Sequence, residues 1–173
     1  MNIYDKSYIM KEKSLHKGFE KGCRTMICTF VGHAEIYKPI EPKLCETIEN
    51  YLENEEEAIF YVGGRGEFDR MAAEAVRTAK NRHKEKKIRL YLVEPYMRAE
   101  LNEEKEYYEE FYDDVIIPPE LSGVHPKSAI TKRNRLMVDW SDLVIAYVYR
   151  DFGGASETLR YARKKGKTII NLA

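Results

Sequence analysis

Two stretches of this chain share one pattern, in which a short apolar run leads into a glycine-rich turn and then a helical stretch. The runs are AIFYV at 58–62 and DLVIAYVY at 142–149, and the turns are GGRG at 63–66 and GG at 153–154. Such runs are typical of strands buried on both faces of a parallel sheet. A glycine turn lets a ligand approach the backbone, and the N–H groups of the next helical turn attract anions. We therefore favour two walls of a phosphate or sugar site over two merely structural bends.

Apolar runs alternate with helical stretches along most of the chain. The runs lie at 26–31, 58–62, 88–93, 115–117, 143–149 and 168–172. This alternation predicts an α/β fold: a single Rossmann-like three-layer domain with a mostly parallel sheet of about six strands. In such a sheet the turns at the carboxyl ends of the strands face the ligand.

The 173 residues divide into a polar, lysine-rich stretch and one domain. We interpret residues 1–24 as an N-terminal extension and residues 25–173 as the Rossmann-like domain. No apolar run approaches the roughly 20 residues of a membrane span, and the N-terminus lacks the apolar region of a signal peptide. Three cysteines without a C-x-x-C pair fit reduced thiols. We expect a cytoplasmic protein with no membrane partner.

The charge balance is neutral, with 29 basic and 29 acidic residues. A dedicated nucleic-acid binder usually carries a basic excess, so we expect no nucleic-acid partner, although a local basic pocket remains possible. The four histidines are scattered without a zinc spacing. We expect no metal site, and the sequence indicates no cofactor.

Four ordered segments resemble the SLOG superfamily. They are FVGH at 30–33, GGRGEFDRMAAEAV at 63–76, RNRLMVDWSDLVIAY at 133–147 and GGASETLRYARKKGK at 153–167. This Rossmann-like group includes the DNA-processing protein DprA and the LOG phosphoribohydrolases, and the small YpsA-like branch is the most similar. The resemblance implies a pocket for nucleotide-like or ADP-ribose-like ligands. It does not imply one activity, because the fold hosts hydrolases, binding domains and sensors.

The turns and the resemblance together give a set of candidate ligand-binding residues. They are Gly32, His33, Gly63, Gly64, Arg65, Gly66, Asp69, Arg133, Asn134, Arg135, Gly153, Gly154, Ser156 and Thr158. Arg133 and Arg135 are candidate phosphate clamps, because guanidinium forks match phosphate oxygens. Two positions apart on a helix they point about 200° from one another, and we favour Arg133 for the pocket. Asp69 is open between a capping role and a bond to a ribose hydroxyl.

The carboxylate of the related enzymes is missing from this sequence. LOG enzymes use a G-G-x-G-T-x-x-E turn, and alignment on the second glycine turn places Arg160 at the glutamate. The deoxyribosyltransferase pattern places Thr158 there instead. Glu157 is the nearby carboxylate and our candidate catalytic residue, but it leaves the helix about 100° away.

We therefore rank a binding protein for a phosphorylated nucleotide derivative, acting as a sensor, carrier or sponge, above an enzyme. The first alternative is an N-glycoside hydrolase of nucleoside monophosphates. The second is an interaction protein with a degenerate pocket. We also expect a homo-oligomer, because related proteins of the superfamily commonly assemble through helices flanking the sheet.

Overall fold

A computed structural model describes residues 25–173; the predicted N-terminal extension, residues 1–24, lies outside them and its boundary stays a prediction. The described chain forms one sheet of six parallel strands in the order β4-β3-β2-β1-β5-β6. The strands are β1 Met26–Gly32, β2 Glu57–Val62, β3 Lys87–Val93, β4 Asp114–Ile116, β5 Leu143–Tyr147 and β6 Thr168–Asn171. The predicted α/β fold is confirmed.

Six helices connect the strands. They are α1 Glu41–Leu52, α2 Glu67–Arg82, α3 Ala99–Glu103, α4 Lys105–Phe111, α5 Pro126–Trp140 and α6 Gly154–Lys164, with a 3-10 turn at Pro119–Leu121. Helices α1 and α2 pack against one another, as do α5 and α6. The first pair covers one face of the sheet and the second pair covers the other, which gives the three layers. Among residues 25–173, no helix is long and apolar enough to cross a membrane.

Alternate residues of β1 enter different cores. Phe30 packs against Phe60 and Phe68 on the face that carries α1 and α2. The next residue, Val31, belongs with Val138 of α5 on the opposite face. Side chains of a strand alternate between faces, so a central strand covered on both sides must be apolar at nearly every position.

The strand order reverses beside β1. The chain runs from β1 through β2 and β3 to β4 at one edge, and then returns to place β5 on the other side of β1. The helix after β1 therefore lies on one face of the sheet, and the helix after β5 lies on the other. A crevice opens between diverging connections of this kind, and ligands of open α/β sheets bind there. The predicted glycine turns flank this crevice.

Candidate ligand site at the carboxyl edge of the sheet

Helices α2 and α6 begin with the same backbone geometry. Their N-cap residues are Gly66, with φ 92° and ψ 172°, and Gly153, with φ 89° and ψ 174°. Side chains with a Cβ rarely adopt so positive a φ, so both caps need glycine. At α2 the backbone N–H of Glu67 donates to the Ala34 carbonyl at 2.8 Å. At α6 the N-cap residue, Gly153, makes no side-chain capping hydrogen bond, and Gly154 is exposed. The start of α6 is the more open anion site.

A cavity of about 120 Å³ lies between the two turns. Eight of the predicted residues line it: Gly32, Gly63, Arg65, Asp69, Arg133, Asn134, Gly154 and Thr158. Thr29, Ile130 and Met137 also line it, although the sequence did not single them out. Pockets for whole drug-sized ligands typically measure about 300–1,000 Å³. This cavity therefore fits a phosphate-sized group rather than a complete nucleotide.

The Arg133 side chain forms part of the cavity wall and is only 2% exposed. Its Nη1 donates a hydrogen bond to the carbonyl oxygen of Val93 at 2.7 Å. Its Nε is buried and has no hydrogen-bond partner among the described residues. Burial lowers the pKa of Arg133, whereas the charges of Asp69 and Glu94 raise it. Arg133, the candidate phosphate clamp, thus also joins α5 to the end of β3, and its Nε remains an unpartnered donor.

Two buried carboxylates lie near this guanidinium. Asp69 is 8% exposed, and its Oδ2 accepts a hydrogen bond from the Arg65 backbone N–H at 3.0 Å. Burial raises the pKa of Asp69 from its ordinary 3.8 to about 6, although the Arg65 N–H and the Arg133 charge lower it. Burial also raises the pKa of Glu94, despite the opposing charges of Arg98 and Arg133. The cluster therefore combines three arginines with two carboxylates.

A short chain of polar contacts joins α5 to the start of α6. The Thr158 hydroxyl donates to the Gly154 carbonyl at 2.7 Å and accepts from Asn134 Nδ2 at 3.5 Å. Thr158 is buried, so its hydroxyl is held inside the helix. Asn134 and Thr158 both line the cavity, and Asn134 is the less buried of the two.

The structure places the other predicted residues outside this cavity. Gly64 and Gly66 line a second cavity on the opposite side of the β2–α2 turn, and Ser156 lines a groove beyond the start of α6. His33 is buried against Tyr149, with ring centroids 4.4 Å apart, and burial lowers its pKa.

Three further predicted residues are exposed. The Arg135 guanidinium lies 5.3 Å from the centroid of the Tyr161 ring. Exposed Gly153 caps α6, and exposed Glu157 lies in the first turn of that helix without lining the cavity.

The sequence interpretation missed the residues around the second cavity and the aromatic side chains beside α6. Buried Glu94 and partly exposed Arg98 form an ion pair at the end of β3. The available signal was the position of Glu94 at the carboxyl end of a predicted strand, where ligand-facing residues gather. Within residues 25–173, no group of three or more His, Cys, Asp or Glu side chains is arranged to hold a metal ion.

Sequence comparison gave no match to a known family model and no match to a curated protein. Structural comparison identified DNA processing protein A from Helicobacter pylori, described for its unique single-stranded DNA binding mode. It has a TM-score of 0.58 and 18% identity over 84% of this chain. DNA processing protein A (DprA) from Streptococcus pneumoniae has a TM-score of 0.58 and 17% identity over 85% of this chain. The match spans 64% and 50% of those two chains, which is less than two thirds of each.

The chain shares the Rossmann-like fold of these two DNA processing proteins. The resemblance is thereby confirmed at the level of the fold. The YpsA-like branch, the nucleotide-like ligand, the homo-oligomer and the cytoplasmic location stay predictions.

The neutral charge balance does not exclude a nucleic-acid partner, so the expectation that this chain has none was wrong. One protein that shares the fold binds single-stranded DNA. The physical reason is that a neutral sum over the whole chain says nothing about where the charges lie. Binding to a phosphate backbone depends on the local concentration of Lys and Arg along one groove.

Proposed function

We propose that this protein binds a phosphorylated, nucleotide-derived small molecule whose phosphate lies at the N-terminus of α6. One observation carries the proposal: the cavity at this helix end is also lined by Arg133, a buried side chain with an unpartnered Nε. A buried donor without an acceptor costs about 1–3 kcal/mol. An anion in the cavity would accept from that Nε and from the first-turn N–H groups of α6 at once.

The charge of the surrounding cluster supports an anionic ligand. Arg65, Arg98 and Arg133 contribute three positive charges, and Asp69 and Glu94 contribute two negative charges when ionised. One positive charge is left over, and Arg133, which lines the cavity, is almost fully buried. Because electrostatic attraction is stronger in a low-dielectric site, a phosphate group would be held more tightly there than at the surface.

A matched pair of ligands tests this function. We expect adenosine 5′-monophosphate to raise the melting temperature more than adenosine does, because only the former carries a phosphate. A ligand at 100 times its dissociation constant adds roughly 2.7 kcal/mol of stability. Gly154→Val should remove the extra rise in melting temperature that the phosphate gives, since a β-branched side chain blocks the approach to the helix end. No Cβ contact is expected within 4 Å of Gly154, so the fold should persist.

The control is Ala99→Val, which places the same side chain at the exposed first position of α3. It should leave the difference between the two ligands unchanged. Equal stabilisation by adenosine and its monophosphate in the wild type would refute a phosphate site. A normal phosphate effect in Gly154→Val would move the site away from α6.

Binding of single-stranded nucleic acid is the second candidate function, and a specific surface favours it. A groove of about 530 Å³ beside α6 is lined by Arg150, Arg160 and Arg163 but by one acid, Asp151. Exposed Tyr149 lines this groove, and two further exposed rings, Tyr37 and Phe152, lie beside Tyr149 and Arg150. The Arg150 guanidinium lies 5.5 Å from the Tyr149 centroid and 5.0 Å from the Phe152 centroid. Basic grooves with aromatic stacking partners are typical of single-strand binding.

Fluorescence anisotropy with a labelled thymidine oligonucleotide tests this surface. We expect Phe152→Ala to weaken binding by about 1–3 kcal/mol, the usual contribution of one stacked base. Arg150→Ala should weaken binding and reduce its salt dependence. The control is Arg82→Ala at the exposed C-terminal end of α2. This substitution should change neither the affinity for the oligonucleotide nor its salt dependence. Equal losses of affinity in Arg82→Ala would indicate unspecific electrostatic attraction and would refute binding at this groove.

A further inference from the structure

A second cavity, of about 540 Å³, lies on the other side of the β2–α2 turn from the phosphate-sized one. Its volume falls within the usual range of about 300–1,000 Å³ for sites that hold a small organic ligand. It has a polar floor and an aromatic wall. The residues that carry the argument are Gly64, Glu94, Arg98, Tyr107, Tyr108 and Phe111.

Two residues of the floor, Glu94 and Arg98, each have a buried polar atom without a hydrogen-bond partner. Glu94 Oε1 accepts a hydrogen bond from Arg98 Nη2, which fixes the two side chains together. Glu94 is fully buried, and its Oε2 has no hydrogen-bond partner among the described residues; the buried Arg98 Nε has none either. Arg65 Nη2 lies 3.9 Å from Oε2, which is too far for a hydrogen bond. Native structures leave few such atoms unsatisfied, so a ligand that offers both a donor and an acceptor fits this floor.

The wall is formed by aromatic rings of α4. Tyr107 is 53% exposed, and its ring centroid lies 5.4 Å from that of Tyr108 and 5.5 Å from that of Phe111. A large aromatic side chain that is half exposed beside two others offers a ring face for stacking. A planar ligand could therefore lie against the wall while its edge reaches the floor.

We propose that this cavity binds a nucleobase or its nucleoside. Glu94 Oε2 accepts from an N–H of the base edge, Arg98 Nε donates to a neighbouring lone pair, and the aromatic wall stacks on the ring. The adjacent donor and acceptor of an adenine edge match this pair, and a site built to bind an N–H rejects an analogue that lacks it. This proposal needs no phosphate and can hold where the phosphate site fails, although Glu94 and Arg98 also belong to the charged cluster around Arg133.

Calorimetric titration with adenosine and with purine riboside tests the proposal. Purine riboside keeps the ring and the ribose but lacks the exocyclic amine. We expect adenosine to bind the wild-type protein at least about tenfold more tightly, as a hydrogen bond to a charged group implies. Glu94→Gln should abolish that preference, because Arg98 keeps the amide oxygen and the amide nitrogen, a donor, then takes the place of Oε2. Equal affinities in the wild type would overturn the role of Glu94, whether or not the variant folds.

Tyr107→Ala tests the wall without disturbing the core, since this side chain is half exposed. It should weaken both nucleosides by about fivefold or more, as expected for one lost stacking partner. The control is Tyr37→Ala, an exposed tyrosine beside the other aromatic surface. A loss in Tyr37→Ala and none in Tyr107→Ala would place the nucleoside elsewhere and refute the proposal. Gly154→Val should retain adenosine binding, so a failed phosphate site and a failed nucleoside site give different results.

Discussion

Arg133 of α5 donates a hydrogen bond from Nη1 to the carbonyl oxygen of Val93, the last residue of β3, at 2.7 Å. This bond holds the guanidinium against the backbone of the β2–α2 turn. A Cβ built on Gly63 would lie 2.8 Å from Arg133 Cζ, so the turn approaches the side chain as closely as glycine allows. The same arginine therefore contacts three segments of the chain, lines the cavity, and keeps a buried Nε without a hydrogen-bond partner.

Replacement of Arg133 by Met should lower the free energy of unfolding by about 3–5 kcal/mol, because Asp69 and Glu94 lose their buried counter-charge. Urea denaturation measures the change. The matched control is Arg135→Met, on an exposed side chain whose stacking on Tyr161 is worth at most about 1 kcal/mol. Similar small losses in both variants would contradict the bracing role.

Gly63→Ala should destabilise the protein by about 1–3 kcal/mol, the usual result of adding a group to a packed site. The cause is the contact between the new Cβ and the immobile Arg133 guanidinium. Gly154→Ala is the control, because nothing lies within 4 Å of its Cβ position and its φ is not positive. Thermal unfolding compares the two, and a neutral Gly63→Ala would show that the guanidinium moves freely.

The titration of Asp69 should make stability depend on pH. Its pKa is raised in the folded state from 3.8 to about 6, so its favourable contribution is complete below about pH 3.8 and is lost as the pH rises through about 6. Between pH 4 and pH 7 the free energy of unfolding of the wild type should fall by up to roughly 3 kcal/mol relative to that of Asp69→Asn. Denaturation at several pH values measures the difference. A difference that does not change with pH would contradict the raised pKa.

Glu157→Gln should leave affinity for a nucleoside monophosphate within about an order of magnitude of the wild type. An exposed charge in the first turn of a helix is worth only about 0.3–1 kcal/mol. We expect no free base to form from nucleoside monophosphates, which chromatography of long incubations measures. Release of free base that Glu157→Gln abolishes would instead support the N-glycoside hydrolase hypothesis. Release that survives Glu157→Gln but not Asp69→Asn would assign the chemistry to the buried carboxylate of the cavity.

Much of the site could be predicted because its glycine turns are local features. A continuous apolar run, a glycine and a helical stretch adjoin in the sequence, and each needs only its neighbours to be recognised. The prediction of Gly66 and Gly153 as turn residues rested on this, and both adopt the positive φ that glycine permits. The prediction that Ser156 and Thr158 share one ligand could not be derived this way. Two residues apart on α6, they line different sides of the helix.

The sequence by itself determined the α/β class, the parallel strands and the two glycine turns, because hydrophobic periodicity and backbone freedom are properties of short segments. Only the tertiary structure decided which charges meet. Asp69 lies in α2, Glu94 directly after β3 and Arg133 in α5, and they form one cluster because the strand order brings the ends of β2 and β3 under α5. The pKa of Asp69 and the unpartnered atoms of Arg133 and Glu94 depend on burial and distance, and neither quantity exists until the chain has folded.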